Sequence, residues 1–399
     1  MPNFRYLIVG GGLTADGACK GIRELDEDGP IAVVGQEPHP PYLRPPLSKG
    51  LWKGDPEEDI WRGTGDLGVD LVLSRRIDSL DLGAHRATDD RGETYGYERV
   101  LFATGGRPRR LPVGGDDVIY YRTLDDYRNL RKMAEGRGHF VVIGGGFIGS
   151  EIAAALAMND CSVTIVFPDD GLCSRIFPAD LSAFVTDYYK EKGVEVLTGG
   201  SVSAIERADG GLRVTTDAGR TLEADGVVAG LGIEPNTDLA ESAGITVKDG
   251  LAVDGYGRVI GQEDVFAAGD VARFPAKVLD TSMRVEHEDH AKQHGKQVGR
   301  NMAGADESYD YLPFFYSDLF DLGYEAVGDL DSRQDSVAEW ETPNRKGLIY
   351  YVDEKRRPRG VLLWDVWEHV DDARELIEAA EPIDDRSLRH LLGGGSGAD

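Results

Sequence analysis

No stretch of this 399-residue chain approaches the length of a bilayer span, about 20 consecutive apolar residues. The N-terminus runs straight into an apolar strand at Tyr6, without a basic region, apolar segment or cleavage site. A soluble, intracellular, cytoplasmic protein with no membrane partner is the expectation. Cysteine is scarce. Cys19, Cys161 and Cys173 form no C-x-x-C or C-x4-C pair, which argues against a disulfide framework and against a redox-active dithiol. Positive charge is also short: 44 Lys and Arg face 71 Asp and Glu, for a net charge of −27. The acid is dispersed along the chain rather than gathered in a tail. Such a surface repels phosphates and argues against nucleic-acid binding. It suits a halophilic source, where salt screens the repulsion, as well as an ordinary acidic cytosolic protein.

Glycine, by contrast, is abundant and placed with purpose. Tyr6-Leu7-Ile8-Val9 runs into Gly10-Gly11-Gly12-Leu13-Thr14-Ala15. About 134 residues later, Phe140-Val141-Val142-Ile143 runs into Gly144-Gly145-Gly146-Phe147-Ile148-Gly149. Each is an apolar strand, a G-x-G-x-x-G/A turn and the start of a helical pattern. The first glycine makes the tight turn and the second lets the backbone approach a pyrophosphate. The small third residue packs helix on strand, and the helix N-terminus receives the anion. Strand Ile31–Val34 then ends near Glu37, at the distance expected for a carboxylate that takes ribose hydroxyls. Strand Val163–Phe167 ends near Asp169 and Asp170. An acid there disfavours a 2′-phosphate, and no basic clamp is apparent nearby in sequence, so NADH is expected over NADPH.

The segments around the fingerprints repeat. Val100–Gly105 closes the first region and Val227–Gly232 the second, which suggests an internal duplication. Asp264–Asp270 brings another strand to a Gly-Asp pair, and a helical pattern follows from about 285 to 303. From about 308 the chain changes to alternating stretches, 347–352 and 360–364, that read as an antiparallel sheet, followed by an amphipathic helix at 371–380. The expected division is 1–112 and 241–307 for one nucleotide domain, 113–240 for the other, 308–392 for a C-terminal α+β domain, and 393–399 as a disordered tail.

Two nucleotide folds, the first interrupted by the second, together with Ala103-Thr104-Gly105 and Ala268-Gly269-Asp270, resemble the FAD/NAD-linked disulfide-reductase superfamily. The fold this implies is α/β, glutathione-reductase-like, with two Rossmann-like domains and the C-terminal α+β domain. Pro41-Tyr42-Leu43-Arg44-Pro45-Pro46-Leu47-Ser48-Lys49 is similar to the branch that contains oxygenase-type ferredoxin reductases and apoptosis-inducing factor. Arg284–Ala291 and Phe315-Tyr316-Ser317-Asp318-Leu319 lean toward the latter, although both subgroups usually have Trp where this chain has Tyr316. Superfamily members that work through cysteine carry it near 41–49 or on the following helix; this chain has none there.

The resemblance implies FAD and NADH as cofactors and assigns residues to each. Gly10, Gly12 and Ala15 would line the FAD pyrophosphate, and Glu37 its ribose. Arg44 would contact the phosphate–ribose region. Ala103, Thr104, Gly105 and Tyr316 would complete that site, and Asp270 would bind the ribityl chain. Glu286 and His287 would sit beside the rings, at the end of a helix whose dipole favours negative charge on the flavin. Lys49 would reach the N5 edge and pair with Glu151. Gly144, Gly146, Phe147, Ile148, Gly149, Glu151, Asp169 and Gly232 would bind NAD, with Phe147 covering the flavin face. The catalytic set is thus Lys49, Glu151, Phe147, His287 and Glu286.

The reaction implied is NADH oxidation through FAD toward an unidentified acceptor, by a monomer or homodimer. The alternatives are an NADH–ferredoxin (or rubredoxin) reductase and an NADH-responsive redox-sensing interaction protein. Arg107, Arg109 and Arg110, or Lys355, Arg356, Arg357 and Arg359, would offer a basic patch to a ferredoxin-like partner. His287, His290 and His294 with Glu286 and Asp289 also admit a metal-cluster reading, but their spacing shares one helical face only in part, so no metal is expected.

Overall fold

The computed structural model describes residues 2–208 and 210–383; the expected tail at 393–399 lies outside them. The chain forms two compact units. One comprises Met1–Leu43, Pro56–Arg107 and Glu234–Pro313, and the other Arg44–Asp55, Pro108–Ile233 and Phe314–Asp399.

In the former, strand Asn3–Val9 lies between Ile31–Val34 and Thr94–Phe102, parallel to both, with Ile8 opposite Val33 and Leu101. Asp70–Val72 extends the sheet beyond Ile31–Val34, and Val265–Ala267 pairs with Thr94–Phe102. Arg86–Asp89 and Ile77–Asp81 continue it antiparallel. The central strands read as continuous apolar runs because helices cover a parallel sheet and leave it no wet face. Helix Leu13–Arg23 packs on Ile8, Val33 and Leu101 through Ala15, Ala18, Cys19 and Ile22. Helix Glu288–Met302 joins the same core through Val298 and Met302. The two helices approach to backbone contact: a Cβ on Gly21 would lie 2.0 Å from the Lys296 carbonyl oxygen, and one on Gly299 2.2 Å from that of Ala18. Only glycine allows that approach. The helical pattern expected from 285 begins at Glu288. Val285 and Glu286 precede it, and His287 is extended (φ −113°, ψ 150°) at the N-cap. Ion pairs from Arg284 to Asp249 and Glu286 hold that approach segment outside the helix.

The other unit holds a five-stranded parallel sheet in the order Glu195–Leu197, Ser162–Val166, His139–Ile143, Gly226–Ala229, Val118–Tyr120. Helix Phe147–Met158 follows its central strand and is buried from Gly149 to Leu156. A three-stranded antiparallel sheet, 202–224, packs its Ile205, Val214 and Leu222 with Val141 and Val227. The segment from Phe314 forms a five-stranded antiparallel sheet with Leu348 opposite Leu363, followed by helix Val370–Ala379. Among the described residues no helix is long and apolar enough to cross a membrane.

Candidate functional site

Both fingerprints build the same local device. Gly10 turns at φ +119° and Gly144 at φ +111°. A Cβ on Gly10 would lie 2.1 Å from the Ala103 carbonyl oxygen, and one on Gly144 2.3 Å from that of Gly230, so each turn presses against the strand end beside it. Gly12 and Gly146 are the N-caps of their helices, and neither supplies a side-chain cap. Both face open space where a Cβ would stand. Uncapped N–H groups at the mouth of an open cradle are a fit for a pyrophosphate. Gly149 closes the second turn, its Cα so near the Gly144 carbonyl oxygen that a Cβ would sit 1.8 Å away. Ala15 is buried on the core side of the first helix, and Ile148 is exposed on the second.

In the first unit, Tyr42 donates a 2.5 Å hydrogen bond to Glu37 Oε2, orienting a half-buried carboxylate past the end of Ile31–Val34. Thr104 Oγ1 donates to the Asn236 carbonyl, and Asn236 Nδ2 donates back to that of Thr104, each at 2.8 Å. The Asn236 N–H also binds the Gly105 carbonyl, so the Ala103–Gly105 turn is clamped. Asp270 is buried in the 3-10 turn Gly269–Val271, with its carbonyl accepting from Arg284 Nη1. Glu286 is exposed and pairs with Arg284 at 2.6 Å. Burial pushes the His287 imidazole down to about 4, against the opposing pull of Asp270. Among the described residues no three His, Cys, Asp or Glu side chains are grouped to hold a metal.

In the second unit, one buried knot stands out. Lys49 Nζ lies 2.7 Å from Glu151 Oε1; the side chains are 9% and 4% exposed. Ser317 Oγ donates to the same oxygen at 2.5 Å, and Ser48 Oγ donates to Oε2 at 2.5 Å. Glu151 is thus held by one cation and two hydroxyls, with a donor on each oxygen. Lys49 follows the 3-10 turn Pro45–Ser48, whose prolines preset the backbone. Its Nζ also stands 5.3 Å from the ring centroid of Tyr316. Phe147 meets Phe315 edge-on at 5.4 Å. Arg44 Nη1 donates to the Arg122 carbonyl. Gly232 turns at φ +80° and accepts from the Arg109 N–H.

Asp169 lies beyond the end of Ser162–Val166 and is partly exposed. The expectation of no basic group near it fails: Arg175 Nε lies 4.0 Å from Asp169 Oδ2. The five intervening residues curl back because the Cys173 N–H bonds to the Gly145 carbonyl, a closure that linear spacing conceals. Ser48, Ser317, Tyr42, Asn236 and Arg175 are thus additions from the structure. Ser48 and Ser317 stood inside recognisable motifs, but nothing in sequence said that both point at one carboxylate.

The family model for pyridine nucleotide-disulphide oxidoreductases matches residues 4–295. The chain belongs to this family. It is 33% identical to apoptosis-inducing factor 1, mitochondrial, of Dictyostelium discoideum, covering 98% of this chain and 82% of that protein. It is 36% identical to peroxisomal monodehydroascorbate reductase 1 of Arabidopsis thaliana, with 82% of each covered. Among solved structures it is similar to the covalent putidaredoxin reductase–putidaredoxin complex, with a TM-score of 0.91 at 26% identity and 99% of both chains covered. The chain is an FAD-dependent NAD(P)H oxidoreductase, with FAD and NAD(H) as its cofactors.

Proposed function

We propose that this oxidoreductase prefers NADH and passes electrons to an acceptor without a thiol relay. Bound FAD supplies the ring that takes up hydride equivalents from NADH. The protein's part is binding, orientation and charge. Gly10, Gly12, Ala15, Glu37, Arg44, Ala103–Gly105, Tyr316 and Asp270 hold FAD, with the FAD-binding domain formed by 1–112 and 241–307. Gly144, Gly146, Ile148, Gly149, Asp169 and Gly232 hold NAD in the 113–240 domain, and 308–392 is the C-terminal domain. Phe147, Glu286 and His287 line the reacting rings.

The observation that carries this reading is the Lys49–Glu151 pair with its two serine donors. A lysine fixed by a hydrogen-bonded, buried carboxylate is a preorganised cation, suited to negative charge arriving nearby. The cysteines support a reaction without thiols. All three are buried, and burial pushes the Cys19 and Cys173 thiols up to about 12. Few thiolates are then present near neutrality.

The acceptor defines a second reading, a reductase for a ferredoxin-like or rubredoxin-like protein. Its support is the likeness to putidaredoxin reductase, solved with putidaredoxin. The charges weigh against it. Arg107 is paired with Glu234 and Asp238, Arg110 is 3.7 Å from Asp116, and Arg357 pairs with Asp353. A soluble cytoplasmic monomer or homodimer suits either reading. The test is anaerobic stopped-flow reduction by NADH, followed by mixing with ferredoxin, rubredoxin, a quinone, a dye or oxygen. Rapid reoxidation by a small acceptor supports the first reading, and by an iron–sulfur protein the second. Slow reoxidation by every acceptor would instead point to a redox-sensing role. Failure of NADH to bleach the flavin would overturn the whole proposal.

A further inference from the structure

Helix Glu288–Met302 carries two buried histidines, His290 and His294. His294 is 1% exposed, and its Nδ1 accepts the backbone N–H of Gly269 at 3.3 Å. Gly269 opens the 3-10 turn that contains Asp270, at φ +69°. A Cβ on Gly269 would lie 2.1 Å from Thr14 Oγ1, so this turn rests on the first turn of the fingerprint helix. The peptide held by His294 therefore adjoins the carboxylate assigned to the flavin ribityl chain.

We propose that His294 is a positioning residue for FAD: its imidazole accepts the Gly269 N–H and thereby fixes Asp270. The inference rests on the reading that Asp270 binds FAD. Three rings box the imidazole, Tyr309 at 4.5 Å, His290 at 4.8 Å and Phe274 at 5.3 Å between centroids. Packing of this kind limits the ring to few orientations. An apolar side chain would fill the box equally well, but would leave a buried backbone donor without its acceptor. A nitrogen that accepts a backbone N–H must be unprotonated, so neutral His294 carries its proton on Nε2.

The experiment measures FAD release from the full-chain holoenzyme on dilution, read by the fluorescence of free flavin. His294→Leu and His294→Asn have similar shape, and only asparagine retains an acceptor. His294→Leu is expected to weaken FAD binding by about 10- to 100-fold, or roughly 1.4–2.7 kcal/mol. His294→Asn should stay within about 3-fold of the parent, since it restores a buried acceptor. Equal losses in the two variants, or no loss in either, overturn the proposal. Asp270→Ala separates the two layers: if it leaves FAD affinity unchanged, the ribityl assignment itself is wrong. Should His294→Leu fail to fold, 15N spectra of the unsubstituted holoenzyme decide. An Nε2–H tautomer at His294 supports the bond, and an Nδ1–H tautomer overturns it.

Discussion

Replacing Lys49 by alanine removes the cation paired at 2.7 Å with a carboxylate that is 4% exposed. Orphaning a buried charge outright costs about 3–5 kcal/mol. Here the Ser48 and Ser317 hydroxyls stay on Glu151, so the loss is partial. A penalty of about 2 kcal/mol against negative charge arriving at the flavin slows its reduction roughly 30-fold. FAD should remain bound, because the residues assigned to its pyrophosphate and ribose lie in other segments. In Lys49→Ala/Glu151→Ala the orphaned carboxylate is gone, and part of the rate should return. The assay is single-turnover bleaching of the flavin by NADH in the parent, both single variants and the double variant, with melting curves to identify misfolded samples. Coupling between the sites appears as non-additivity. Strictly additive effects, or an unchanged rate in Lys49→Ala, would refute the reasoning.

Nucleotide choice should show the opposition of Asp169 and Arg175. Repulsion between Asp169 and a 2′-phosphate favours NADH, but the guanidinium 4.0 Å away offsets it, so discrimination should fall near about 10-fold in reduction efficiency. Arg175→Ala should widen that ratio and Asp169→Asn narrow it; steady-state kinetics with both nucleotides checks the pair, and movement in the opposite direction removes the assignment. Acid should destabilise the fold through the half-buried His287 and the buried His294. Burial lowers His287 to about 4 and His294 to about 3 from an ordinary 6.5, so the unfolded chain binds more protons between those limits. Their contribution is complete above pH 6.5 and is lost as pH falls toward 3–4; melting temperatures measured across that range should decline with acid, and less steeply in His294→Asn. Thiol reagents should leave the native protein active and unlabelled at pH 7–8, because all three cysteines are buried. Mass spectrometry before and after denaturation tests this, and rapid native labelling of Cys173 would contradict it.

The sequence by itself determined what local chemistry dictates. An apolar strand ending in G-x-G-x-x-G/A has few uses, and two of them announced two nucleotide cradles. The strands at 347–352 and 360–364 of the C-terminal antiparallel sheet were legible because alternation and turn residues act over a few positions. Helix Glu288–Met302 was legible in type but not in its first turn, since Arg284 is held by Asp249, 35 residues away. Contacts of long sequence separation were decided only by the tertiary structure. Ser48 and Ser317 meet on Glu151 from 103 and 166 residues away. Arg175 reaches Asp169 because a backbone bond folds its loop onto Gly145. His294 accepts the Gly269 N–H from 25 residues away. Motifs record which backbone shape is affordable at a given place, whereas a side chain's partner depends on which distant segments the core brings together.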